Sequence, residues 1–243
     1  MNLVTGKAPS ATQGDDMAMV RARRAFLSRR YYQPLAAALA EVASAAEPHV
    51  IADFGCGEGY YLGELMGGPQ LSGVAAYGTD ISKPAIAAAA KAYPAAQFAV
   101  ADTNRLIPLA GAVVDVGICV FAPRNPAEFA RVIAPGGRLL VAIPAQAHLA
   151  DLRERFGLLG IERDKATKIT AQLGGFTLAS TRNVSHTARL DGAALRDLIA
   201  MTPNARHMDA GTSAQLADVR VTNAEFEFEI LEFIRYTKGN EIS

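Results

Sequence analysis

From residue 49 onward, short apolar runs alternate with segments of helical spacing. The pattern predicts strands over 49–54, 74–79, 97–101, 114–121 and 138–143. Between them it predicts helices near 58–66, 83–93 and 125–134, the last ended by Pro135-Gly136-Gly137, and a further helix from about 147. Alternation of this kind builds a mostly parallel sheet covered on both faces. Upstream, apolar residues keep helical spacing from Met17 through Phe26 and Leu27. They do so again after Pro34, a good first-turn residue, through Leu35, Leu39 and Val42 to about Ser44. Residues 1–16 are polar, carry Gly6, Pro9, Gly14 and Asp15-Asp16, and read as a mobile arm. Downstream, 157–174 is polar and weakly patterned, as a flap or lid would be. Phe176–Arg189 reads as a long strand, and Asp191–Met201 as a helix stopped by Pro203. Phe226, Phe228 and Ile230 alternate with Glu225, Glu227 and Glu229, the mark of a half-buried antiparallel strand. The expected organisation is an arm (1–16), a helical segment (17–48) and an α/β domain (49–243) whose parallel sheet is closed by a C-terminal antiparallel hairpin.

Composition narrows the classes. Half of the 243 residues are apolar, enough for a sizeable core, and 24 Lys and Arg balance 24 Asp and Glu. A dedicated nucleic-acid binder is more often basic. The two cysteines, Cys56 and Cys119, lack metal-ligand spacing and suit a reducing compartment, so no metal is expected. Neither a signal peptide nor an apolar run of membrane-spanning length is apparent, and a cytoplasmic protein is expected.

The candidate chemistry lies at the strand ends. Asp53-Phe54-Gly55-Cys56-Gly57-Glu58-Gly59 joins the first strand to a helix. The glycines allow a tight turn and leave no Cβ in a ligand's way. S-adenosylmethionine (SAM) carries an ammonium and a sulfonium, and Asp53, with Glu58 as a weaker helper, can pair with such cations. The second strand ends at Asp80, suited to two ribose hydroxyls. The third ends at Asp102, placed for an adenine amino group with Thr103 or Asn104 alongside. The fourth ends at Phe121-Ala122-Pro123, where a methyl group would emerge. Acids at three successive strand ends favour SAM. A nicotinamide enzyme would carry G-x-G-x-x-G instead of G-x-G-x-G.

The chain resembles the bacterial 23S ribosomal RNA guanine-N1-methyltransferases, a family that includes macrolide-resistance methyltransferases. Carrying the resemblance are Arg23-Arg24-Ala25-Phe26-Leu27, Tyr32-Gln33-Pro34-Leu35, Asp53 to Tyr61, and Asp80-Ile81-Ser82-Lys83. Ala88-Ala89-Ala90-Lys91, Phe121-Ala122-Pro123, Ala130-Arg131-Val132 through Gly137, His148-Leu149 and Met201-Thr202-Pro203 continue it. It implies a class I SAM-dependent methyltransferase with a Rossmann-like fold that tends to dimerise. It also implies a cofactor pocket in which Tyr32, Ile81 and His148 join Cys56, Gly57 and Asp80. Family members open with a zinc-binding module of three Cys and one His, and this chain starts roughly where that module ends.

The acceptor therefore stays open between a guanine of ribosomal RNA and a small molecule, such as a purine-like ring, methylated on N or O. A third reading is a SAM-binding protein without transferase activity. His148 is either a contact or base for the substrate, or an ordinary loop histidine. Phe121 either stacks on a target base or packs in the core, and Tyr31 reads as helix packing. The Arg21–Arg30 run either meets phosphates or forms a solvated helix face.

Overall fold

The structure, a computed structural model, describes residues 15–206 and 210–237. Its helices are α1 (Met17–Ser28), α2 (Gln33–Ser44), α3 (Tyr60–Met66), α4 (Lys83–Ala92), α5 (Pro126–Val132), α6 (Ala150–Phe156), α7 (Lys165–Gln172), α8 (Gly192–Ala200) and α9 (Ala210–Asp218). Its strands are β1 (Val50–Phe54), β2 (Ala75–Asp80), β3 (Gln97–Val100), β4 (Val114–Val120), β5 (Ile133–Pro144), β6 (Phe176–Asp191) and β7 (Val221–Arg235). Residues 1–14, most of the expected arm, lie outside the described residues. Asp16 caps α1, its carboxylate accepting from Ala18 N at 2.8 Å and Met19 N at 2.9 Å.

The strands form one seven-stranded sheet in the order β3-β2-β1-β4-β5-β7-β6. β1 to β5 are mutually parallel, and β7 runs antiparallel to both β5 and β6. The expected mixed sheet is present, with one difference in how it closes. β6 and β7 pair along their whole length, yet no tight turn joins them: residues 192–220 intervene and carry α8 and α9. The weakly patterned stretch before β6 also holds a helix, α7, whose one buried residue is Ile169. So narrow an apolar stripe leaves little trace in a hydrophobic pattern.

Alternating side chains divide the core. Ile51, Val116, Ile118 and Leu140 face a layer that includes Phe26, Leu35, Leu62 and Leu195. Ala52, Cys119, Leu139, Val141 and Ile143 face the other, with Phe129, Ile169 and Phe176. β7 changes its covered side midway. Ala224, Phe226, Phe228 and Ile230 are buried, and then Leu231 and Phe233 are. The Glu–Phe alternation in the sequence marks only the first half, where one face is covered. Phe54 stacks on Phe129 with centroids 4.9 Å apart. Gly117 leaves room for that ring, since a Cβ there would stand 2.6 Å from it.

Replacing Phe54 with alanine should cost about 3–5 kcal/mol in urea unfolding. A loss below about 1 kcal/mol would show that the stacked pair lies outside the cooperative core.

Candidate active site

The C-terminal ends of β1, β2, β4 and β5 surround a cavity of about 520 Å³. That position, at the strand ends where the sheet order reverses, is where open α/β sheets take ligands. Its floor is the turn after β1. Gly55 has φ +85° and Gly57 has φ +55°. A Cβ at Gly55 would stand 2.4 Å from Cβ of Ala122, so both conformation and space require glycine there. The amides of Gly55 and Cys56 donate to the Thr79 carbonyl at 2.8 and 2.9 Å, tying the turn to β2. Asp80 completes the link. Its carboxylate accepts from Gly57 N at 2.9 Å and Ser82 N at 2.8 Å.

Negative charge accumulates at this turn. Asp53 is 1% exposed, and neither of its carboxyl oxygens has a hydrogen-bond partner. Burial pushes its pKa well above the usual carboxylate range, and Asp80 and Glu58 add to the effect. Glu58 is buried, again with both oxygens lacking a hydrogen bond, and burial raises its pKa despite the nearby Arg23. Burial also raises Asp80, opposed by its two backbone bonds. Arg23 answers these acids. It pairs with Asp15, approaches Glu58 at 3.6 Å and donates to the Met201 carbonyl at 3.2 Å. Such an arrangement, with more buried acid than base and unpartnered oxygens, suits a cationic ligand.

Tyr32, Gly55, Cys56, Gly57, Asp80, Ile81, Phe121 and His148, all expected at the site from the sequence, line the cavity. Asp53 lies beneath the turn, and Gly59 sits at the cap of α3 without lining it. Asp102 and Thr103 are not brought into the lining either. The Asp102 carboxylate accepts from Asn104 N at 3.0 Å, and the Thr103 carbonyl accepts from Asn125 Nδ2 at 3.1 Å, so local turns occupy both. The Cys56 thiol is pushed up by burial, which removes it as a nucleophile.

An aromatic wall stands above the turn. The Tyr32 ring meets Phe228 at 5.0 Å and Phe226 at 5.5 Å, and Phe121 lies 6.1 Å away. Phe121 is 42% exposed and has φ +53°, an unfavourable conformation for a bulky residue. His148 is buried, with Nδ1 3.0 Å from the Glu227 carbonyl and 3.2 Å from the Glu227 amide, so the tautomer decides whether Nδ1 donates or accepts. If Nδ1 carries the proton and donates there, Nε2 keeps a lone pair. Burial pushes the pKa of His148 down to about 4, opposed by Glu227 and assisted by Arg153 and His186. Tyr31 packs, as expected, against Phe26 at 5.1 Å, and its carbonyl bonds His186 Nε2 at 2.8 Å.

Several lining residues escaped the sequence reading: Arg23, Tyr61, Leu159, Ile161, Lys165 and Asn204. Arg23 carried a usable signal. It falls on the stripe of Met19, Phe26 and Leu27 at helical spacing, so it turns inward while Arg21 and Arg24 face solvent. Arg29 and Arg30 are engaged by Asp191 at 2.9 Å and Glu64 at 3.2 Å. Among the described residues, no group of three or more His, Cys, Asp or Glu is arranged to hold a metal, and no helix is long and apolar enough to cross a membrane.

Two outcomes follow from this geometry. Gly55→Ala should lower stability by about 1–3 kcal/mol in thermal unfolding, from strain and crowding together; an unchanged midpoint would contradict the required conformation. The His148 ring should titrate by NMR near pH 4 instead of about 6.5. Because its folded pKa is depressed, the associated stability is complete above about pH 6.5 and declines as pH falls toward 4. His148→Gln should flatten that part of the pH–stability curve.

A family model described as a methyltransferase domain matches residues 52–141, the stretch from β1 through most of β5. The YcgJ protein of Bacillus subtilis shares the fold, with a TM-score of 0.56, 12% identity and coverage of 83% of this chain and 98% of that one. The 23S rRNA (guanine(748)-N(1))-methyltransferase of Streptomyces fradiae is 36% identical over 208 residues, which are 84% of this chain and 74% of that protein. A relative from Micromonospora griseorubida, named for guanine-N1 methylation of 23S rRNA, is 37% identical over 227 residues, 86% of this chain and 75% of that protein. With a methyltransferase core and relatives this similar over most of its length, the chain belongs to the 23S rRNA (guanine-N1)-methyltransferases, a family of SAM-dependent enzymes.

Proposed function

We propose that this enzyme binds SAM in the cavity at the β1–β4 boundary and methylates N1 of a guanine in 23S rRNA. The observation that carries the cofactor assignment is the crowding of three buried carboxyls at the glycine turn about one cation, Arg23, with both Asp53 oxygens lacking a hydrogen bond. Asp53 and Glu58 offer negative charge to the ammonium group of SAM, directly or through water. Asp80, held by the Gly57 and Ser82 amides, retains oxygen lone pairs for ribose hydroxyls. The acceptor assignment rests on the activities for which the relatives are named.

When bound, SAM would supply an electrophilic methyl group on its sulfonium for transfer to the acceptor nitrogen. The protein's share is alignment and exclusion of water. Phe121 presents an exposed ring at the end of β4, where a target base can stack. His148 stays neutral around pH 7, and in the tautomer whose Nδ1 donates to the Glu227 carbonyl its Nε2 can accept a hydrogen bond from a ring N–H and orient it. The burial that keeps it neutral also makes it a weak base. In this reading His148 is a hydrogen-bond acceptor in the transition state, and the proton leaves to bulk solvent once the methyl has transferred and the site opens.

One observation favours a second reading, a small-molecule acceptor: the wall formed by Leu158, Leu159, Ile161 and Phe121 is apolar, as in small-ligand sites.

Radiolabel from SAM should enter unmodified 23S rRNA, and the product nucleoside should be 1-methylguanosine. Absence of label in RNA, with label entering a metabolite extract instead, would favour the second reading. Asp80→Asn should weaken SAM binding about 10–100-fold by calorimetry, the equivalent of one charged hydrogen-bonding site; wild-type affinity in that variant would remove Asp80 from the ribose role.

A further inference from the structure

Charge is unevenly divided across the sheet's C-terminal ends. Asp53, Glu58 and Asp80 belong to the ends of β1 and β2. Arg124, Arg153 and Lys165 follow β4 and β5, on the other side of the β1–β4 boundary. Arg153 on α6 and Lys165 at the start of α7 line the cavity beside Phe121 and Leu159. Arg124 follows Pro123 of the same wall, and its charge acts on Lys165.

Several cations of the molecule are held by acids. Arg23, Arg29, Arg131, Arg138 and Arg182 each have an acid within ion-pair distance. Among the described residues, no such pair is found for Arg124, Arg153 or Lys165. Glu162, three residues before Lys165, is taken by Lys168. Arg124 and Arg153 each have a buried Nε with no hydrogen-bond partner. Their other recorded bonds go to main-chain carbonyls, Arg124 Nη1 to Ala122 at 3.3 Å and Arg153 Nη2 to Gln146 at 2.6 Å. Burial and then Arg124 push the Lys165 pKa down, and Glu162 opposes them. Positive groups partly withdrawn from water, with unused donors and only the charge of Glu162, shared with Lys168, to offset them, are unfavourable until an anion completes them.

We propose that Lys165, Arg124 and Arg153 hold the phosphates flanking the nucleotide whose base enters the cavity. This rests on the reading of the acceptor as RNA, and it assigns a place for the backbone relative to the base. The exposed ring of Phe121 takes the base, the acids beyond it take the cofactor, and the cations of the opposite half take the phosphates. Three donors from separate elements suit a phosphate's several oxygens. A chain of zero formal net charge lacks a global field, so a local cluster must supply the electrostatic grip.

The test is binding of a 23S rRNA fragment over a range of salt, with S-adenosylhomocysteine present. It compares wild type with Lys165→Gln, Arg124→Gln and Lys165→Arg. Each glutamine variant should bind about ten-fold more weakly at low salt, with the slope of log K against log salt reduced by about 0.7–0.9. SAM affinity should be unchanged in Arg124→Gln, which lies outside the cavity lining, correct folding of both is read from unchanged thermal unfolding midpoints, and Lys165→Arg should keep the wild-type slope. Glutamine variants with wild-type affinity and slope would overturn the clamp, as would Lys165→Arg binding as poorly as Lys165→Gln. Methylation by the wild type judges the acceptor separately: a fragment bound but not methylated sinks the RNA reading while the slopes still decide the clamp. If wild type does not bind the fragment, guanosine monophosphate is compared with guanosine. A several-fold preference for the phosphate, lost in Lys165→Gln, supports the clamp, and equal binding overturns it.

Discussion

The carboxyl groups of Asp53, Glu58 and Asp80 crowd a single glycine turn, and Arg23 is the cation that reaches them from α1. Much of the surrounding architecture follows from that imbalance. Arg23 must leave the solvated face of its helix, which it does by falling on the apolar stripe of Met19, Phe26 and Leu27. Once inside, it binds the Met201 carbonyl just beyond α8. The same helix pair is linked near the other end of α1 by Arg29 and Asp191, the N-cap of α8. Ser82 adds a bond of 2.7 Å to the Asp15 carbonyl, fastening the start of α1 to the loop after β2. The helical segment before the sheet is thus a wall of the cavity. Buried acids with a single shared counter-charge are weak contributors to stability. Their retention at a strand-end turn is better understood through the cation they can receive.

The order of the sheet explains why the cavity has two electrical ends. Crossovers leave β1 and β4 as neighbours, with β2 on one side and β5 on the other. Loops from the first half bring the acids, and elements following the second half bring Arg124, Arg153 and Lys165. No long-range steering is required of a chain with equal numbers of acidic and basic residues, because the separation is built into which strand ends feed which wall.

The sequence shows this fold where elements are buried on both faces and punctuated by glycine or an acid. β1, β2 and β4 end within a residue or so of the expected positions because Asp53-Phe54-Gly55, Asp80 and Phe121 interrupt apolar runs. β6 is read to within two residues of its end, whereas β7 is less legible. Both are long and half-covered, and β7 exchanges its covered side between Ile230 and Leu231, which breaks the alternation. α7 and α9 escape for the related reason that each buries too little to impose a period. At the site, the residues of the glycine turn and Asp80 are legible because chain geometry alone makes them neighbours. Asp102 and Thr103 end a strand as expected, but local turns hold them away from the cavity lining. Lys165 could not be found from sequence: it enters from a weakly patterned segment through a tertiary contact.

Two residues with positive φ flank the place where chemistry would occur, Phe121 at +53° and Leu149 at +55°. Neither is glycine, so each stores some backbone strain. In both cases the sheet compels it. Phe121 N donates to the Ala142 carbonyl of β5 at 3.1 Å, and Leu149 N donates to the Glu225 carbonyl of β7 at 2.8 Å. The first turns an aromatic ring out of the end of β4 when continuation of the strand would have carried it past the cavity. The second starts α6 immediately after His148, fixing the imidazole against Glu227 and sending Arg153 to the cavity one turn later. A ladder that is stable in its own right can hold such conformations without help from a ligand. The ring, the imidazole and the cationic wall therefore belong to the folded chain before any substrate arrives, which is the condition for preorganised alignment in a reaction whose driving force comes from the cofactor.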